Sequence, residues 1–119
     1  MERQLAFNDA LMGILNQGEL SFDEDGGCAY RSPNGNKCTI GHLIPDENYN
    51  PNLEGVGAGQ PEVRRAIDEK YGYLGPDFTR NMQRMLHDGH PVFIRGDIIK
   101  SAKRFAHFYD LEMPDDLSS

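Results

Sequence analysis

Two cysteines and a histidine, Cys28, Cys38 and His42, fall within a stretch of fifteen residues. Thiolates and imidazoles are zinc ligands, and a thiol beside an imidazole can also be an activated nucleophile. A small metal- or cysteine-dependent enzyme using Cys28, Cys38 and His42 is therefore one reading of the chain. Spacing weighs against it. Residues 38 and 42 in an extended strand lie about 13 Å apart, at roughly 3.3 Å per residue. The local pattern lacks a fourth ligand. His42, His87 and His90 are the candidate bases for Cys28 or Cys38, but nothing in the sequence fixes one beside a thiol. Packed, reduced thiols without a cofactor are the preferred reading, with zinc the metal to consider. The segment His87-Asp88-Gly89-His90 straddles an expected helix end, where a histidine interacts favourably with the last carbonyls. That structural role is preferred to a metal pair.

The second group of chemically suggestive residues is acidic. Asp23, Glu24 and Asp25 form one cluster, and Asp46, Glu47 and Glu54 flank Tyr49 in another. Neither has the ligand spacing and central glycine of a helix–loop–helix calcium loop. The net charge is −7. Residues 1–60 carry three bases against nine acids, and residues 61–119 carry nine against ten. An acidic front half repels phosphate backbones and disfavours general nucleic-acid binding. It suits a protein partner with a basic surface, or simply solubility, the commoner reason for a charge of this size. Asp23, Glu24, Asp25, Asp46, Glu47, Tyr49 and Glu54 are the expected partner-binding residues, because turns and loops present side chains without disturbing a core. Lys100, Lys103 and Arg104 make a local basic strip at helical spacing, read first as a solvated face.

These residues need elements to hold them. Ser32-Pro33-Asn34-Gly35 has the composition of a type I turn followed by a left-handed residue. It predicts a β-hairpin over about 28–40 in which Ser32 pairs with Asn36 and Tyr30 with Cys38. Alternation then places Cys28, Tyr30, Cys38 and Ile40 on one buried face. In that register the cysteines are diagonal neighbours, about 7–8 Å apart, too far for a disulfide without a register change. Helices are expected over Met1 to Gln17, with Leu5, Leu11, Met12 and Leu15 near one face; over Pro61 to Tyr71; from Pro76 towards Gly89; and along a final stripe of Ile94, Ile98, Ala102, Phe105, Ala106 and Tyr109. The predicted fold is α+β: one domain, residues 1–119, with a short antiparallel hairpin packed against about four helices. Met1 to Gln17 contains acids and no continuous apolar core, so no secretory signal is expected. No apolar run approaches the roughly 20 residues of a membrane span.

The run CAYRSPNGNKCTIGHLIPDENYNPNLEG resembles the core of a family of small bacteriophage and prophage proteins. The pattern is C-x-Y-R, then G-x-K-C-x-I-G-x-L-I-P-D, a tyrosine and E-G. Here those positions are Cys28, Tyr30, Arg31, Gly35, Lys37, Cys38, Ile40, Gly41, Leu43, Ile44, Pro45, Asp46, Tyr49, Glu54 and Gly55. The segment Leu86 to Asp88 and the final helix are also similar. The resemblance implies a phage or prophage origin, a place in the bacterial host cytoplasm and an accessory role. It carries no catalytic residues with it. The expected function is protein–protein binding, with an acidic inhibitor of a bacterial defence system as its concrete form.

Overall fold

The computed structural model describes residues 2–23 and 27–114. Its elements are helices. Helix α1 is Glu2–Gln17, α2 is Pro61–Tyr71, α3 is Pro76–Gln83 and α4 is Arg95–Phe108. Three short 3-10 turns, Ile40–Leu43, Asp46–Asn48 and Pro51–Leu53, lie in the long segment between α1 and α2. A π-helical turn, Arg84–Asp88, extends α3.

Local chemistry sets the helix boundaries. Gly18 stops α1 at φ 74°, and its N–H bonds the Ile14 carbonyl. Pro61 and Pro76 start α2 and α3, where a missing N–H costs nothing. The buried face of α1 is Ala6, Phe7, Ala10, Leu11, Ile14 and Leu15, whereas Leu5 is 48% exposed. Leu11 and Leu15 of the expected face are thus buried, with Phe7 and Ile14 beside them, whereas Leu5 turns outward and Ala6 and Ala10 complete the face. Phe7, Phe78, Phe105 and Tyr109 join α1, α3 and α4 through ring contacts of 4.7–5.5 Å between centroids. Arg3 covers this cluster, its guanidinium 4.8 Å from the Phe78 ring centre. Tyr71 donates to Asp9 at 2.7 Å and ties α2 to α1.

The expected α+β fold is overturned. Among the described residues there is no strand, only an isolated antiparallel bridge between Phe22 and Cys28. The turn itself forms as expected: Ser32 N–H bonds the Asn36 carbonyl at 2.9 Å, and Gly35 takes φ 90°. Its two arms fail to zip together. The N–H groups of Tyr30 and Arg31 go to the Glu54 carboxylate, at 2.9 and 3.0 Å. Lys37 is clasped at both its N–H and its carbonyl by the Gln17 side chain. Cys38 N–H bonds Ala29 rather than Tyr30. Thr39 then adopts helical angles and leads into the turn Ile40–Leu43. Side chains from distant elements take the bonds that a second strand would have made.

Close backbone approach makes Gly41 obligatory. A Cβ there would lie 2.1 Å from the Tyr30 carbonyl oxygen. Gly96 is the opposite case, a helical glycine whose added Cβ meets nothing within 4 Å. Urea unfolding should separate them. Gly41→Ala is expected to lose more than about 2 kcal/mol, since backbone cannot move aside cheaply. Gly96→Ala should gain about 0.5 kcal/mol through helix propensity.

Candidate functional site

The structure assembles a thiol, imidazole and carboxylate cluster, but not the expected one. Among the described residues, Cys28, His87 and Asp88 have donor atoms within 4.8 Å of one another. Cys28 comes from the isolated bridge, and His87 and Asp88 close the π-helical turn. That turn is widened by an i→i+5 bond from Gly89 N–H to the Arg84 carbonyl. The wider pitch brings Asp88 above Gln83, which donates to it at 2.8 Å. Cys38, fully buried, lies beside Cys28. His42 stands apart from this cluster. It packs on α1 at Gly13, where a Cβ would lie 2.6 Å from its ring. Its Nε2 is buried without a hydrogen-bond partner.

The hydrogen bonds decide what this cluster can do. His87 is fully buried, and its Nε2 accepts from the Ser21 N–H at 2.8 Å. A backbone amide can only donate, so this assigns the ring proton to Nδ1. Nδ1 then donates to Asp88 at 2.9 Å. Both nitrogens are therefore engaged. A metal on Nδ1 would force a proton onto Nε2, pointing it at the Ser21 N–H. Ligating histidines instead direct their second N–H at an acceptor, so the donor set at His87 does not fit a metal. The Cys28 thiol receives the Gln83 amide at 3.0 Å. A side-chain hydrogen bond with Cys38, burial, and the neighbouring Cys38, Asp88 and Glu54 nevertheless push it strongly up. At neutral pH it is a thiol, not a nucleophilic thiolate.

The acidic candidates divide into structural and exposed groups. Glu54 is half-buried; besides the two backbone N–H groups it accepts the Tyr49 hydroxyl at 2.6 Å. Tyr49 is half-buried, under the Arg31 guanidinium at 4.4 Å. Burial and its bond to Glu54 push Tyr49 up to about 12. Asp46 is 84% exposed and pairs with Arg31 at 2.6 Å. Glu47 is exposed on the same turn. Asp23 accepts from Gly27 N–H at 2.8 Å, while Glu24 and Asp25 lie outside the described residues. The turn carrying Asp46 and Glu47 opens onto a groove of about 560 Å³ between Asn48, Asn50 and Asn52 on one side and Glu62, Arg65 and Glu69 of α2 on the other.

Sequence reasoning preferred a helix end for His87 and Asp88, and named His87 only as one of three possible bases for a cysteine. The partner that fixes His87, Ser21, lies 66 residues away, and no local pattern announces it. Comparison with protein-family models, curated proteins and solved structures finds no match to this chain. No helix among the described residues is long and apolar enough to cross a membrane.

Two measurements test this account. Burial first, then the charge of Lys37 and the neighbouring His87 ring, lower the His42 pKa from its ordinary 6.5 to about 4. The folded state binds fewer protons than the unfolded one between these values. Its contribution to stability is complete above pH 6.5 and is lost as the pH falls towards 4, by up to about 3 kcal/mol. Chemical unfolding across this range should show the loss, and His42→Gln should flatten it. For Cys28, alkylation by iodoacetamide at pH 8, followed by mass spectrometry, should be at least about tenfold slower than in urea. Equally fast labelling of the native protein would identify an activated thiol.

Proposed function

We propose that this chain is a protein-binding module that performs no catalysis, of the kind phages encode as accessory proteins. Its partner is a host or phage protein with a basic surface. The observation that carries this reading is the groove beside the Asp46–Asn48 turn. It is lined by asparagine side chains, which can bond a partner's backbone, and by Glu62 and Glu69, with Glu47 exposed on the adjoining turn. Its carboxylates outnumber the one cation there, Arg65. Charge of this sign speeds association with a basic patch and fixes its register.

The thiol cluster supports the same reading by elimination, because His87 and Cys28 are held in unreactive states. The net charge of −7 and the phage-like motif favour an inhibitor of a bacterial defence protein, acting in the host cytoplasm. Tyr49 and Glu54 enter as the frame of the surface: they hold Arg31, and Arg31 holds Asp46.

A pull-down from bacterial lysate with quantitative mass spectrometry tests the proposal. The parent should retain a basic host protein, and retention should fall as salt rises from about 50 to 300 mM. The variant Glu47→Lys with Glu62→Lys should lose most of it while keeping the parent's circular dichroism and unfolding midpoint. Asp46 is left intact because its reversal would oppose Arg31. Identical proteins retained by parent and variant would refute the groove as the contact.

A further inference from the structure

The outer face of α4 carries charge of the opposite sign. Lys100, Lys103 and Arg104 follow i, i+3, i+4 spacing and are exposed, and the imidazole of His107 is exposed one turn further on. Among the described residues none of them takes part in an ion pair. The acid on this side of the helix, Asp97, is exposed one turn before Lys100 and enters no ion pair with the three cations. The three cations span about 6 Å along the helix, at 1.5 Å per residue, and His107 continues the exposed face. It leads directly to Phe108, which is 75% exposed.

Phe108 forms one wall of a cleft of about 420 Å³, with Tyr73, Phe78 and Tyr109. Tyr73 is 71% exposed. The cleft is held rigid. Arg3 donates to the Leu74 carbonyl at 3.2 and 2.9 Å and lies over Phe78 and Tyr109. Tyr109 is fixed by Asn81, which donates to its hydroxyl at 2.8 Å, and Phe108 meets the Tyr109 ring edge-on at 4.9 Å. The acid in the cleft, Asp77, is paired with Arg80.

We propose that this continuous surface is a second docking site, and that it takes an acidic protein segment carrying one aromatic residue. Carboxylates one turn apart on one face of a partner helix span the same length, about 6 Å, as the cations from Lys100 to Arg104. The aromatic residue, placed beyond them, enters the cleft between Tyr73 and Phe108, where rigid aromatic walls supply the anchor that charge alone lacks. A nucleic-acid strand fits less well. Its phosphates would extend past the stripe into the field of a chain whose net charge is −7. The site is independent of the acidic groove, and either can fail without the other.

A fluorescein-labelled helical peptide tests the site, with glutamates at i, i+4 and i+7 and a tryptophan one turn later. Its counterpart has glutamines for the glutamates. Fluorescence anisotropy at about 50 mM salt should show at least about tenfold tighter binding of the glutamate peptide, and a difference that shrinks at about 300 mM. Lys103→Glu with Arg104→Glu should weaken it at least about tenfold, and the milder Lys100→Ala with Lys103→Ala should act in the same direction if the first variant folds poorly. Phe108→Ala should weaken it about fivefold without changing the salt dependence. Glu47→Lys with Glu62→Lys should leave it unchanged. Equal affinity for the two peptides, or unchanged binding by the charge variants, would overturn the proposal. So would an oligothymidylate that binds this face as tightly as the glutamate peptide.

Discussion

Backbone amides removed from water must find acceptors, and this protein meets that requirement with side chains. The segment between α1 and α2 crosses the core without a sheet of its own. Gln17 serves Lys37, Gln83 serves Ile40, His87 serves Ser21, and Glu54 serves Tyr30 and Arg31. An orphaned buried amide costs about 1–3 kcal/mol. Together these bonds are comparable with the whole stability of a small domain. Three of the four residues come from α1, α3 or the π-helical turn. The helices therefore supply the irregular layer with acceptors as well as with an apolar surface.

This arrangement also determines the chemistry. A histidine, an aspartate, a glutamine and a thiol within bonding distance resemble a catalytic group when only their identities are considered. Their hydrogen bonds say otherwise. His87 gives its lone pair to a backbone amide and its proton to Asp88. Gln83 divides itself among Ile40, Cys28 and Asp88. A network with every member satisfied is rigid, and it holds the loop layer in one arrangement. Reactivity would require a member with a free valence. The exposed groups on the outer surfaces, acids at the groove and cations on α4, are the ones left with capacity to spare.

Much of the architecture was legible in the residues. Proline starts and glycine stops placed α2, α3 and the end of α1, and Ser32 to Asn36 announced its turn correctly. What failed was the inference from a good turn to a paired hairpin. Turn chemistry is local, whereas the competition for the amides of residues 30, 31, 37 and 40 was decided by Glu54, Gln17 and Gln83. Gly41 held a partial clue. A glycine after Thr39-Ile40 permits a backbone crossing that a flat strand would not need. On α1 the buried face was read from Leu11 and Leu15, and the error was at its edge: Ala6 and Ala10 are buried by neighbours that hydropathy alone does not rank above Leu5.

The π-helical turn has a consequence for how this chain can change over evolutionary time. A π-turn is an α-helix with one residue more than its ladder needs. Removing a residue between Gln83 and Gly89 would restore an ordinary helix. It would also turn everything after it by about 100° about the axis, a single step of a 3.6-residue spiral. The imidazole would swing away from Ser21, and α4 would set off in a different direction. The length of this turn works as a ruler between the loop layer and the final helix, and a descendant that loses one unit of it inherits a different molecule.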